Sequence, residues 1–162
     1  PGQSKTVNVR VKALELCKAK ASISAKGVCA PQVVNNIVTE YKGIPAILLE
    51  VIDTEDPVRV GTATDYIITA TNQGSAPGTN ISIVVNTEDS MQILEVGGAT
   101  QGQVAGMTVT FAPLPSLPPG AKAEWKVSIK ALKVSDARLK VTMNSDQLGR
   151  PVEETEATNL YQ

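Results

Sequence analysis

The chain has 162 residues, of which 42% are hydrophobic and 3% aromatic, and its formal net charge is −1 at pH 7. With so few aromatic rings, its core must consist mainly of Val, Ile, Leu and Ala, and the β-branched residues among these favour strands. The sequence contains no histidine, which removes the most common general base and metal ligand. It also lacks a recognisable catalytic motif and any apolar stretch of the roughly 18 to 20 residues that a transmembrane helix needs. We therefore expect no enzymatic activity, no cofactor and no membrane span.

The first 43 residues are basic, with seven Lys or Arg against two acidic residues, whereas the rest of the chain has eight basic residues against fourteen acidic ones. Such asymmetry has two interpretations. In the favoured one, the lysines alternate with apolar residues and line the solvent face of a strand. In the other, the segment binds a polyanion through Lys5, Arg10, Lys12, Lys18 and Lys20.

The front segment is predicted to form three strands, at residues 6–16, 19–25 and 33–39, and it contains both cysteines of the chain. Cys17 and Cys29 are separated by eleven residues and lack the CxxC spacing of a zinc site. We predict a disulfide between them. The alternatives are two buried free thiols or an intermolecular bridge.

An internal repeat links the two ends of the chain. Residues 1–14 align without gaps on residues 119–132, and after a two-residue insertion Pro31 aligns with Pro151 and Tyr41 with Tyr161. Residues 1–43 are therefore interpreted as the C-terminal portion of a preceding repeat, and residues 44–162 as one complete repeat. The opening Pro1-Gly2-Gln3 is typical of the interior of a longer polypeptide.

Residues 44–162 alternate apolar and polar side chains in short runs separated by Gly, Pro, Asn and Asp clusters. Tyr66, Ile68 and Ala70 show this period clearly, and it recurs at residues 81–85, at 93–96 before Gly97-Gly98, and at 107–111, 125–131 and 139–143. About seven to nine such strands, with turns every 8 to 12 residues and no convincing helix, predict an all-β, immunoglobulin-like β-sandwich.

An acidic group follows the boundary between the two repeats. Asp53, Glu55 and Asp56 precede Pro57. Calcium sites use six or more oxygen ligands, and the sequence supplies only these three carboxylates nearby. We interpret the group as a solvated acidic turn, with calcium binding as the alternative.

Three motifs resemble the conserved repeat domain found in tandem in many bacterial cell-surface proteins. They are PVRVG at residues 57–61, YIITATNQGSA at 66–76 and LPPG at 117–120. Further stretches are similar to the C-terminal repeats of the chlamydial large cysteine-rich outer-membrane-complex protein: VIDTEDP at 51–57, ATQG at 99–102, DAR at 136–138 and SD at 145–146.

This resemblance implies a structural, non-enzymatic protein of the bacterial envelope, in the periplasm, the outer membrane or on the cell surface. The chlamydial pattern has cysteines where this chain has Glu55 and Arg59. We therefore expect an array held together by packing, with one local disulfide. Its role would be that of a spacer or scaffold, and adhesion or ligand binding is the alternative.

The expected partners are neighbouring repeats, other copies of the chain and other envelope components, but not nucleic acid. The front segment has too few strands for a core. We hypothesise that it completes its sandwich with strands of another chain, and the alternative is that the upstream remainder of its domain is missing from this sequence.

Overall fold

The computed structural model describes residues 2–162 and has two compact units, the first ending at Gly43 and the second running from Ile44 to Gln162. We call them unit 1 and unit 2. Every secondary-structure element assigned in the described residues is a β-strand. Accordingly, no helix long and apolar enough to cross a membrane is found in this part of the chain.

Unit 1 contains one antiparallel hairpin. Its strands are β1 (Lys18–Ala25) and β2 (Val33–Glu40), and their register pairs Lys18 with Glu40 and Ala25 with Val33. Beyond this ladder, the Tyr41 N–H donates to the Cys17 carbonyl at 2.9 Å.

The strand predicted at residues 6–16 was wrong, because the structure assigns no strand between residues 2 and 17. The repeat explains why. The aligned segment of unit 2 is a central strand, Lys122–Ala131, that forms hydrogen bonds with a neighbour on each side. Residues 2–43 contain no strands equivalent to those neighbours, and an extended segment without a ladder partner gains nothing to offset the entropy of ordering it.

Unit 2 contains eleven strands, which form two sheets. They are β3 (Ile47–Asp53), β4 (Val58–Arg59), β5 (Ala63–Asn72), β6 (Gly78–Asn86), β7 (Met91–Gly98), β8 (Gly102–Ala105), β9 (Thr108–Phe111), β10 (Leu114–Leu117), β11 (Lys122–Ala131), β12 (Ser135–Asn144) and β13 (Val152–Tyr161). One sheet has the order β4-β13-β12-β6-β9-β8, with β10 also paired to β6. The other has the order β3-β5-β11-β7. The predicted all-β, immunoglobulin-like sandwich is confirmed.

The core of unit 2 lies between these sheets and is mainly aliphatic. Each long strand buries alternate residues, as the period of two in the sequence predicts. The largest fully buried side chains are Trp125, Tyr66 and Phe111, together with Ile68, Ile81, Ile83, Ile129, Leu139, Met143 and Leu160.

Asn72 joins several backbone segments at one end of the sandwich. Its side-chain oxygen accepts hydrogen bonds from the N–H groups of Gly74, at 3.0 Å, and Ala46, at 3.4 Å. Its amide nitrogen donates to the carbonyls of Ala76, at 2.8 Å, and Leu117, at 2.9 Å. The YIITATNQGSA and LPPG motifs are therefore in contact, and this contact stabilises the fold.

Candidate interaction surface

The β1–β2 hairpin has one largely apolar side, which we call the hairpin face: Ala19, Ala21, Ile23, Ala25, Val33 and Ile37. Only Ala19 is half-buried, and the other five are exposed. The exposed fractions of Ile23, Val33 and Ile37 are 55%, 65% and 44%. Three branched aliphatic side chains on one face of a two-stranded sheet are thus left uncovered within unit 1, although burying such side chains is normally favourable.

The corresponding positions of unit 2 are buried. By the repeat alignment, the β1 residues of the hairpin face correspond to inward-facing residues of β12: Ala137, Leu139, Val141 and Met143. All four are fully buried in the sandwich core. The β1 half of the hairpin face therefore has the position and the apolar character of a core surface, without a second sheet over it in unit 1.

Residues preceding the hairpin show the same contrast. Val7, Val9 and Val11 are 77%, 79% and 71% exposed. Their aligned counterparts in β11 are Trp125, Val127 and Ile129, which are essentially fully buried. Unit 1 thus exposes the alternating apolar pattern that unit 2 uses to build its core.

The β1 strand also has a free hydrogen-bonding edge. In unit 2, β12 pairs with β13 on one side and with β6 on the other, through residues 140–144 and 82–86. In unit 1, the equivalent hairpin has only the β1–β2 pairing. The Cys17 carbonyl accepts a hydrogen bond from the Tyr41 N–H, so the backbone N–H and C=O groups of every second residue from Cys17 onward face β2. The N–H and C=O groups of the residues in between, Lys18, Lys20, Ser22 and Ser24, therefore point away from β2.

The two hairpins differ by one residue in register. In unit 2, Leu160 pairs with Ser135. In unit 1, the counterpart of Leu160 is Glu40, which pairs with Lys18. Lys18 is the counterpart of Asp136, one residue further along the strand than Ser135. A shift of one residue exchanges the two faces of a strand. In unit 1 it places Val33 and Ile37 on the same side as Ile23.

The five basic residues named from the sequence are all exposed, and two of them, Lys18 and Lys20, lie in β1. Lys18 forms an ion pair with Glu40 at 3.6 Å. Among the described residues, Lys5, Arg10, Lys12 and Lys20 form no ion pair. Lys18 and Lys20 lie on the side of β1 opposite the hairpin face, since strand side chains alternate.

Both cysteines are exposed, free thiols. The predicted Cys17–Cys29 disulfide is therefore not formed in this structure. Cys17 immediately precedes β1, while Cys29 lies in the turn between β1 and β2. The two residues are thus at opposite ends of an extended eight-residue strand. Such a strand is much longer than about 7 Å, the largest distance between two Cα atoms that a disulfide can bridge.

The acidic group after the unit boundary forms hydrogen bonds with β13. Asp53 accepts from the Thr158 hydroxyl at 2.7 Å, and Asp56 accepts from the Asn159 N–H at 2.9 Å, while Glu55 is exposed. Partial burial, with the nearby charges of Asp53 and Asp56, raises the pKa of Glu156. No three His, Cys, Asp or Glu of residues 2–162 are arranged to hold a metal ion.

A cleft of about 280 Å³ lies at one end of unit 2, and the sequence did not predict it. It is lined by Pro45, Ala46, Ile47, Leu48, Gln73, Ser145, Gln147 and Leu148. Beside it, Asp146 accepts hydrogen bonds from the Thr79 hydroxyl at 2.6 Å and from the Asn80 side chain at 3.1 Å, and these bonds lower its pKa. This polar network connects β6 to the turn after β12.

No known protein-family model matches the chain. Among solved structures, a cohesin module from a Clostridium perfringens family 33 glycoside hydrolase is similar, with a TM-score of 0.52 and 11% identity over 74% of this chain and 98% of its own. A CARDB domain from Pyrococcus furiosus, solved in complex with di-metal ions, has a TM-score of 0.50 and 13% identity over 72% of this chain and 88% of its own. At these identities the similarity establishes the β-sandwich fold alone.

Proposed function

We propose that the chain is a non-enzymatic structural repeat module of a bacterial envelope or cell-surface protein, acting as a spacer within an array of β-sandwich domains. The observation that carries this proposal is the short link between the two units. The last backbone hydrogen bond of unit 1 is the one from Tyr41 to Cys17. Unit 2 is fixed from Ile44 onward, so only Lys42 and Gly43 connect the two.

Ile44 is held by the turn after β5. Its carbonyl accepts a hydrogen bond from the Ser75 N–H at 2.8 Å, and its own N–H donates to the Ser75 hydroxyl at 3.2 Å. A Cβ atom on Gly74 would lie 2.2 Å from the Ile44 carbonyl oxygen. Glycine at position 74 is therefore what permits this close approach, and unit 2 is anchored within two residues of the last hydrogen bond of unit 1.

The envelope location and the partners, which are neighbouring repeats or other copies of the chain, rest on the sequence resemblance. A spacer in such a protein transmits force and sets distance through its links. A link of two residues suits this role because flexible linkers gain reach and disorder with length.

An experiment on the link tests the spacer role. Spin labels are placed on Cys17, in a Cys29→Ser background, and on Gln103→Cys in unit 2. Six Gly-Ser residues are then inserted between Gly43 and Ile44. An eight-residue flexible link spans about 15 Å on average. We therefore expect double electron-electron resonance to give a narrow distribution of distances between the two labels for the natural link and a broad one for the insertion.

The matched control inserts the same six residues between Gly149 and Arg150, in an exposed turn of unit 2. This variant should keep the narrow distribution. If the natural chain already gives a distribution as broad as the insertion at the link, the link does not restrict the units and the spacer proposal fails.

Adhesion to a polyanion is the second candidate, favoured by the exposed basic residues of unit 1 that lack an acidic partner. It is distinguished by salt-sensitive binding to heparin. Such binding would be lost when Lys5, Arg10, Lys12, Lys18 and Lys20 are changed to Gln, but kept when Lys122, Lys133 and Arg150 of unit 2 are changed instead.

A further inference from the structure

We propose that the outer face of the larger sheet of unit 2 binds a neutral polysaccharide. The part of the sheet concerned, which we call the uncharged face, spans four neighbouring strands, β12, β6, β9 and β8. It consists of the outward-facing residues Ser82, Val84, Asn86, Gln103, Thr108, Thr110, Thr142 and Asn144. This function goes beyond the spacer role and does not depend on it.

The uncharged face originates in a pattern of the sequence. Charged residues make up 19% of the chain, yet residues 66–87 and residues 96–121 contain none. The first run includes β6, and the second includes β8 and β9. The topology places these strands side by side in the order β6-β9-β8. Two uncharged segments that are separate in the sequence thus form one continuous surface.

The strand register aligns four of these residues in a row across the sheet. Thr142 of β12 lies opposite Val84 of β6, which in turn lies opposite Thr110 of β9. Thr110 lies opposite Gln103 of the edge strand β8. Their sequence neighbours in β6, β9 and β12 face the core and are at most 1% exposed: Ile83, Val85, Val109, Phe111, Val141 and Met143. Since neighbouring strands are about 4.8 Å apart, the row is about 14 Å long.

The two sides of the sandwich differ in charge. Beside the uncharged face, Lys140 of β12 lies opposite Asn86 and forms an ion pair with Glu153 of β13 at 2.8 Å. The outer face of the other sheet has seven ionisable residues: Glu50, Asp65, Glu95, Lys122, Glu124, Lys126 and Lys130. Soluble protein surfaces are usually rich in charges of both signs. The lack of charge is therefore particular to one side of unit 2.

The polar groups of the uncharged face suit sugar hydroxyls, which both donate and accept hydrogen bonds. Threonine hydroxyls and glutamine amides do the same. The Asn86 side-chain oxygen accepts from the Thr108 hydroxyl at 3.0 Å, and that of Asn144 accepts from the Ser145 N–H at 2.9 Å. These two bonds hold the amides in place and leave their NH₂ groups to donate to a ligand.

A shallow groove of about 200 Å³ lies at the β8 end of the row. It is lined by Gln101, Gln103, Thr110, Phe111, Ala112 and Pro113. Sites that enclose a whole small molecule are usually larger, at about 300 to 1,000 Å³. The groove therefore suits one residue of a polymer whose neighbouring residues continue along the row. Ala112 and Pro113 offer apolar surface to the C–H groups of a sugar ring, and the two glutamines offer amides to its hydroxyls.

Other classes of ligand fit this surface less well. Nucleic acids and other polyanions are bound through Lys and Arg, which are absent from the uncharged face. The centres of protein interfaces are enriched in Trp, Tyr, Phe, Met and Arg, and none of these faces outward here. The only aliphatic side chain of the face is Val84, which is half-buried. A polymer that is rich in hydroxyls and carries no charge matches the chemistry that remains.

The test titrates the full chain with four neutral hexasaccharides: cellohexaose, maltohexaose, mannohexaose and N-acetylchitohexaose. Backbone amides are followed by NMR. We expect at least one of these sugars, at millimolar concentration, to shift the amide signals of Val84, Gln103, Thr110 and Thr142. Because no ion pair forms with a neutral sugar, the affinity should be the same at low and at high salt.

A pair of double variants locates the binding. Gln103→Ala with Thr110→Ala removes two hydrogen-bonding groups from the row and should weaken binding about tenfold or more, since each neutral hydrogen bond contributes about three- to tenfold. The matched control is Gln92→Ala with Thr69→Ala, which removes the same residue types from the outer face of the other sheet and should leave the affinity unchanged. None of the four residues is buried, so both variants should fold.

Three results would overturn the proposal. The first is that none of the four sugars shifts these signals at about 10 mM. The second is equal affinity of the two double variants for the sugar that binds. The third is a shift of these signals by a heparin hexasaccharide but by no neutral sugar, which would identify a charged ligand. None of these results bears on the spin-label distances, so the spacer role and the polysaccharide site are judged independently.

Discussion

Asn72 shows how a residue of the YIITATNQGSA motif can have a structural role. It is fully buried, and its side chain bonds to four backbone groups. Aspartate could accept two of these hydrogen bonds but donate neither of the others, and other side chains of this size fit still less well. The motif resemblance therefore reflects how the sandwich closes at this end.

Asn72→Ala is expected to lower the free energy of unfolding by about 3 kcal/mol or more, because each buried polar group left without a partner costs about 1 to 3 kcal/mol. Urea unfolding of the full chain, followed by circular dichroism, measures this change. Gln73→Ala alters a neighbouring exposed residue and serves as the control, with an expected effect within about 0.5 kcal/mol. Equal effects of the two changes would mean that the Asn72 bonds contribute little.

Among the elements, the strand β11 was predicted correctly from the sequence, but a strand was wrongly predicted in the aligned segment of unit 1. The alternation in residues 125–131 predicts a strand, and the same alternation in residues 7–13 predicts another. The difference lies in the partners: β11 is bonded to β5 and β7, whereas no strand pairs with residues 2–17. Periodicity describes which face a strand would bury, but not whether a second strand is available.

Gly97 and Gly98 show another limit of sequence reading. They were interpreted as the end of a strand, yet β7 continues through both. A Cβ atom at Gly98 would lie 2.4 Å from the Glu124 carbonyl oxygen and 2.5 Å from the Trp125 Cα. Glycine is therefore needed here because β11 passes so close, and this contact comes from tertiary packing that no local pattern contains. The cleft with its Asp146 network likewise depends on residues brought together from distant turns.

A pair of equivalent substitutions tests the contrast between the two units. Trp125→Ala removes a fully buried ring from β11 and should cost about 3 to 5 kcal/mol of unfolding free energy. Val7→Ala changes the aligned position in unit 1, which is largely exposed, and should change the same quantity by less than about 0.5 kcal/mol. Urea unfolding followed by circular dichroism compares them. A large loss from Val7→Ala would show that residues 2–16 are packed in solution.

At the scale of the whole molecule, the two sheets of unit 2 are joined by a buried polar contact as well as by their apolar core. The Tyr66 hydroxyl on β5 and the Thr158 hydroxyl on β13 form a hydrogen bond, and Thr158 also donates to Asp53 on β3. Burial, with the nearby negative charges of Asp53, Glu156 and Asp56, raises the pKa of Tyr66 to about 12. Burial and these charges therefore favour the neutral phenol, while the hydrogen bond with Thr158 acts in the opposite direction.

This raised pKa predicts a loss of stability at alkaline pH. The folded state holds the Tyr66 proton more tightly than the unfolded state, so the stabilisation is fully present below about pH 10 and is lost as the pH rises toward about 12. Each pKa unit corresponds to about 1.4 kcal/mol, which makes about 3 kcal/mol the upper limit. Urea midpoints measured from pH 8 to 12 should fall less steeply for Tyr66→Phe than for the natural chain. Parallel profiles would contradict this.

The short link has a consequence for how an array of such units grows. Because Ile44 is fixed to Ser75 and only Lys42 and Gly43 separate it from the last hydrogen bond of unit 1, each additional repeat in the proposed array would add one unit and one two-residue link. The contour length of the array would then be proportional to the number of repeats. Duplication or loss of one repeat in the gene would change this contour length by a fixed step, without any change in the repeat itself.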